Sequence, residues 1–223
     1  MITLVTEYLE NSFEIHSKKL NTLVIEDTKY FSKFVRGFIA SLNRQNDDFE
    51  LIEKFEKLNL SKITNIIFDL FNLEANASNI LKKLYSELEE DINSEEMYPK
   101  KVEMESVVIK IMDDLIYRSR FSLTMGDVNY QNLFKACSVE FDYDHSSLVE
   151  RLIEYMEVSS RLLGIKLFVF VNLDSFLSVE ELNELKKYLC YNEIKVLALQ
   201  NNISRRVDSD ENLRIIDNDF CEI

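Results

Sequence analysis

An α/β fold with a mostly parallel sheet and an α-helical insertion is predicted by three features of this 223-residue chain. The first is Leu167-Phe168-Val169-Phe170-Val171, an apolar run too short for a membrane span and rich in β-branched and aromatic residues, as in a strand buried on both faces. The second lies just downstream of that run. Ser178 and Glu181 are spaced as a capping box, Leu182, Leu185 and Leu189 share one helical face, and a further apolar run covers Ile194 to Leu199. Strand, capped helix and strand make a βαβ unit with parallel strands. The third is composition: 46% hydrophobic residues fill a substantial core, while three glycines and one proline are too few for a glycine-loop enzyme or an all-β fold of tight turns.

From the N-terminus, Ile2 to Thr6 and Phe13 to His16 alternate weakly as β structure, and Thr22 to Ile25 is a short buried-type strand. Phe31, Phe34, Val35, Phe38, Ile39 and Leu42 then recur at helical spacing over Thr28 to Asn43, with Asp27 or Thr28 as the cap. Phe49 to Phe55 and Ile63 to Leu70 supply a further sheet strand, and Lys54, Lys57 and Lys62 dot the connection. Ile80, Leu81, Leu84, Leu88 and Ile92 line one face of a helix that ends before Pro99. A second long helix, Lys100 to Arg118, turns Val107, Val108, Ile111, Met112, Leu115 and Ile116 inward, so the two read as an αα-hairpin. Met125-Gly126-Asp127 reads as a turn, Val128 to Ala136 as a short helix and Ser138 to Tyr143 as extended. Ser147 with Glu150 spells another capping box, opening a helix closed by Gly164, and Leu213 to Ile216 reads as an edge strand. The predicted organisation is a discontinuous α/β head, residues 1–72 and 145–223, around a helical leg, residues 73–144.

Cys137, Cys190 and Cys221 are widely spaced and odd in number, which reads as buried free thiols in a reducing cytoplasm. No signal segment and no apolar run near ~20 residues occurs, so a soluble cytoplasmic protein is expected. Acidic residues outnumber basic ones 40 to 26, a formal charge of -14, which opposes nucleic-acid binding unless positive potential is gathered on one face.

Parallel sheets of this kind commonly bind nucleotides, but no P-loop is present. After Val24-Ile25 the chain reads Glu26-Asp27-Thr28-Lys29-Tyr30, without glycine and with carboxylates that repel phosphate. At the end of the central strand stands Asn172, with Asp174 two residues later than a magnesium-binding acid belongs. His145, in Asp142-Tyr143-Asp144-His145, fits an Asx turn better than a metal site, and Asp217-Asn218-Asp219 lacks the glycine and distal glutamate of a calcium loop. Lys54, Lys57, Lys62, Lys82, Lys83, Lys100, Lys101 and Arg205-Arg206 are candidate phosphate contacts.

TLVIEDTKYFSKFV (22–35), KLFVFVNLDSFLSVEELNELKKYL (166–189), VLALQ (196–200) and LRIIDNDF (213–220) resemble, in order and spacing, the ring-forming Csn-type accessory proteins of type II-A CRISPR spacer acquisition. That resemblance implies a head like a degenerate P-loop NTPase and an inserted helical leg. It also implies a non-enzymatic homotetrameric ring that binds ends of linear double-stranded DNA without sequence preference, alongside the CRISPR integrase and the type II effector nuclease. Within it, Lys54, Lys57 and Lys62 on the head and Lys82 and Lys83 on the leg are the expected DNA contacts. Relatives brace the leg with calcium between its second long helix and the next short one. Here Ser119 to Asn129 keeps one carboxylate, Asp127, so no required cofactor and weak or no calcium dependence is predicted. The alternatives are a nucleotide hydrolase with an atypical phosphate site around Glu26 to Lys33, and a purely protein-binding helical scaffold.

Overall fold

The computed structural model describes residues 1–142, 147–203, 205 and 211–223. It divides into two compact units, Met1–Glu74 with Tyr143–Ile223, and Ala75–Asp142. In the first, the strands β3 (Leu20–Ile25), β6 (Thr64–Ile67), β7 (Leu167–Val171), β8 (Lys195–Gln200) and β9 (Asn212–Ile216) form a five-stranded parallel sheet in the order β6-β7-β8-β3-β9. Every residue of β7 is buried, and Val169 pairs with Ile66 on one side and Leu197 on the other. That two-sided burial is why the run carries no polar alternation.

On one face, Phe168, Phe170, Val196 and Ala198 pack against α6 (Leu148–Leu163), through Val149, Leu152 and Met156, and against α7 (Val179–Tyr191), through Leu182, Leu185 and Leu189. The start of α7 has the full capping box: Ser178 Oγ accepts from the Glu181 amide at 3.2 Å, and the Glu181 carboxylate accepts from the Ser178 amide at 2.8 Å. The matching expectation at Ser147 is corrected, because Ser147 occupies the cap position without a side-chain bond. Gly164 ends α6 in the left-handed region, φ 70°, as a C-cap glycine does.

The opposite face holds a sheet that sequence patterning does not predict. The strands β1 (Ile2–Thr6), β2 (Phe13–Ile15), β4 (Phe49–Glu53) and β5 (Glu56–Leu58) form a separate antiparallel sheet in the order β2-β1-β4-β5. This sheet and α1 (Thr28–Leu42) enclose a core of Ile2, Leu4, Phe13, Phe34, Phe38, Phe49 and Leu51 with Leu167, Val169 and Leu199. α1 carries a glycine mid-helix because a Cβ on Gly37 would come within 3.1 Å of the Phe49 ring and of Tyr8 Oη. The strand expected from Phe49 to Phe55 is present as β4 but ends at Glu53, where the chain reverses at Lys54 (φ 50°) and Phe55 (φ 68°) into β5, followed by the four-residue helix α2 (Leu60–Ile63). Left-handed backbone strains a bulky residue, and the Phe55 side chain, 103% exposed, gains no packing in return. Phe55→Gly is therefore expected to raise the melting temperature by about 1–3 °C, checked by a thermal melt. A fall would show that the ring is engaged.

In the second unit, α3 (Ser78–Ile92) is followed after a short connection by α4 (Tyr98–Arg118), and it also packs on α5 (Tyr130–Ala136). The Tyr85 ring lies 5.9 Å from that of Phe134, and its hydroxyl donates to the Val139 carbonyl at 2.9 Å. The inward face expected of α4 is corrected, since that helix has no buried residue and leaves Val107, Ile111, Met112 and Leu115 at 41–58% exposure. Its apolar period is real, but no partner for it exists among the described residues of the chain. The three cysteines, expected to be buried, are all exposed. No helix among the described residues is long and apolar enough to cross a membrane.

Candidate nucleic-acid interface

In open parallel sheets a nucleotide sits beyond the C-terminal ends of the strands. Here that edge is filled by the chain's own amides. Asn172 leaves β7 in the left-handed region, φ 55°, and its Oδ1 accepts from the Asn201 amide at 3.1 Å. Asn201 Nδ2 donates to the carbonyls of Ile25 at 2.9 Å and Glu26 at 3.3 Å, joining the ends of β8 and β3. The Glu26 carboxylate takes Asn218 Nδ2 at 3.0 Å, and Asp27 Oδ1 takes the Tyr30 amide at 2.7 Å at the start of α1. The amide that a phosphate would seek is thus already bound to a carboxylate, and the local charge is negative.

Asp174 is committed as well. Arg205 Nε lies 2.8 Å from Asp174 Oδ2, its other nitrogens grip Glu211 at 2.6 and 2.8 Å, and Lys186 Nζ meets Glu211 at 2.5 Å. Burial pushes the Asp174 carboxyl above its ordinary value, more than Arg205 lowers it. For Glu211 burial also acts upward, but the bonds from Arg205 and Lys186 outweigh it and hold the group below its ordinary value. Arg205, expected from sequence to contact DNA, is consumed in this network. Arg206 and the stretch Tyr143 to Ser146, with the turn expected at His145, lie outside the described residues.

The five lysines fall in both units. Lys54 sits at the β4–β5 hairpin tip, Lys57 on β5 and Lys62 on α2, all exposed, while Lys82 and Lys83 are exposed neighbours on α3. Lys57 is neutralised by Glu50 at 2.6 Å, and the other four have no ion-pair partner among the described residues. A hollow of about 260 Å³ beside Lys57 brings in a residue that sequence spacing missed: Arg44, whose Nε donates to Ser61 Oγ at 3.0 Å. Arg44 stands alone in a polar stretch, and only the long-range approach of α2 gives it company.

Within the helical unit a hollow of about 600 Å³ is lined by Asp127 together with Glu89, Asn93, Lys101, Glu105 and Tyr130. Its donor set does not fit the calcium that the family resemblance implies. Glu89 Oε2 is taken by Gln131 Nε2 at 2.8 Å, Glu105 Oε1 by Tyr130 Oη at 2.5 Å, and an ammonium, Lys101, stands among the carboxylates. Burial first, then the bond to Glu105, pushes the Tyr130 hydroxyl up to about 12. Among the described residues no three His, Cys, Asp or Glu side chains converge as ligands.

The solved structures similar to this chain include the ATP-binding cassette MJ0796 in a post-hydrolysis state bound to ADP and Pi, at 13% identity and a TM-score of 0.38 over 91% of this chain and 88% of that one. CRISPR-associated protein Csn2 of Enterococcus faecalis is 23% identical over 196 residues, covering 87% of this chain and 88% of the relative. CRISPR-associated protein Csn2 of Streptococcus agalactiae is 25% identical over 182 residues, 80% of each chain. Residues 42–220 match the family described as CRISPR-associated protein (Cas_Csn2), and on that match over most of its length the chain belongs to the Cas_Csn2 family.

Proposed function

We propose that the chain is a non-catalytic subunit of a homotetrameric ring that binds ends of linear double-stranded DNA, without sequence preference, during CRISPR spacer acquisition. The observation that carries the reading is the closed C-terminal edge of the parallel sheet, where Asn172, Asn201, Asn218 and the carboxylates of Glu26 and Asp27 occupy the ground of a phosphate cradle. A scaffold of this class without its phosphate site favours a binding role over hydrolysis. The uncovered apolar face of α4 supports self-assembly, because Val107, Ile111, Met112 and Leu115 of an amphipathic helix stand open to water and call for a partner. Its charges suit a second copy in antiparallel orientation: Lys100 opens the helix and Asp113 and Asp114 stand near its end. The exposed lysines at 54, 62, 82 and 83 supply phosphate contacts in a chain whose overall charge is -14, so assembly has to gather them on an inner surface. The working partners on this reading are the CRISPR integrase and the type II effector nuclease, in a cytoplasmic setting.

The test compares linear duplex with covalently closed circular duplex of the same sequence, together with the solution mass. Tetramers that bind the linear form alone, with affinity falling steeply with salt, are the expected result. Equal binding of circles, a monomeric mass, or a melting temperature raised by nucleotide would overturn it. Lys54→Glu with Lys62→Glu should weaken binding on the order of tenfold for every sequence alike and flatten the salt dependence. Titrations against two unrelated duplexes check this, and unchanged affinity would remove both lysines from the interface.

A further inference from the structure

The hollow of the helical unit contains its own cation. Lys101, on the first turns of α4, has a side chain only 18% exposed. Its Nζ donates to Asn93 Oδ1, just past the end of α3, at 2.7 Å and lies 3.9 Å from Glu105 Oε1 on its own helix. It also stands 5.2 Å from the centroid of the Tyr130 ring, at the start of α5, within cation-π range. Side chains from three helices therefore meet around one ammonium. Glu89, Glu105 and Asp127 line the hollow and make its potential negative, which is the environment a charged lysine needs when half withdrawn from water.

We propose that Lys101 supplies from within the chain the positive charge that ties α3, α4 and α5 together, so that the helical unit is stable without a divalent ion. A calcium ion entering here would stand beside a fixed ammonium and would have to displace the Tyr130 and Gln131 bonds to find oxygens. Coulomb repulsion at such range in a partly dry site opposes that exchange. Duplex binding plays no part in it: a chain that binds no DNA would still show the same dependence on Lys101.

The experiment is thermal melting of the full chain, monitored by far-UV circular dichroism, in chelator and in millimolar calcium chloride, with calorimetric titration of calcium beside it. The wild-type chain is expected to melt at one temperature in both buffers and to show no calcium heat. Lys101→Met keeps the stem and removes the charge, and in chelator it should melt about 3–6 °C lower. A wild-type melting temperature that rises by more than about 3 °C with calcium, a micromolar calcium heat, or a Lys101→Met chain as stable as wild type would each overturn the proposal. The calorimetric arm needs no variant, so a Lys101→Met chain that fails to fold leaves the proposal open to refutation.

Discussion

Replacing Ile111 and Leu115 together by aspartate should leave the chain folded while reducing the solution mass from that of the proposed tetramer to a smaller species. Both residues lie on the exposed face of α4, at 52% and 58% exposure. Within one chain the new carboxylates therefore stay in water. Across a subunit contact each would be stripped of water without a counter-ion, at a cost of several kcal/mol. If the proposed ring presents several lysine sets to one duplex, its loss also removes that gain, so affinity for linear DNA should fall at least ~100-fold. Light scattering and duplex titration read the two effects, and circular dichroism checks the fold. An unchanged mass would take α4 out of the assembly interface.

Glu211→Gln is expected to be the most damaging single change in the α/β unit. Its carboxylate, 1% exposed, answers both Arg205 and Lys186, whose side chains are each 10% exposed. Removing the charge takes from two buried cations the carboxylate that both of them bind, a loss of about 3–5 kcal/mol, or on the order of 10 °C in melting temperature. The effect has a defined pH dependence. A carboxyl held below its ordinary 4.5 stabilises the fold fully above that value and loses the contribution as pH falls through the lower folded value. The gap between wild type and Glu211→Gln should thus be widest near neutrality and close in acid. Asp174, raised by burial, works in the opposite sense, because its ionised form opposes folding above its ordinary 3.8. Asp174→Asn should accordingly cost less than Glu211→Gln. Denaturant titrations at neutral and acid pH check both, and a gap that is constant with pH would mean that Glu211 acts by shape rather than charge.

Where physics is local, the sequence was readable. The apolar run of β7, the capping box of α7 and the helical period of α1 each carry their cause within a few residues, and each element stands where spacing predicts it. The antiparallel sheet was hidden because its pairing is remote: Thr3 meets Ile52 across most of the N-terminal region, and no local pattern announces that register. The β4–β5 turn was hidden for another reason. A two-residue turn with both residues left-handed normally advertises itself by Asn or Gly, and this one uses Lys54 and Phe55. Charged residues were the least legible. Arg205 and Lys101 read as solvated candidates for phosphate, yet the first is clamped by Asp174 and Glu211 and the second by Asn93 and Glu105. Spacing shows that a charge exists, and only the tertiary fold shows what has already claimed it. The period of α4 was read correctly and its burial was not, because a sequence states that a face is apolar without stating whose surface covers it.

The exposed thiols open an experimental route. Cys137 belongs to the helical unit, and Cys190 and Cys221 to the α/β unit. With Cys221→Ser, the two remaining sulfurs are natural attachment points for a donor and an acceptor dye, one on each body. Energy transfer between them would register any change in their separation as duplex is added, in a polypeptide that needs no added cysteine.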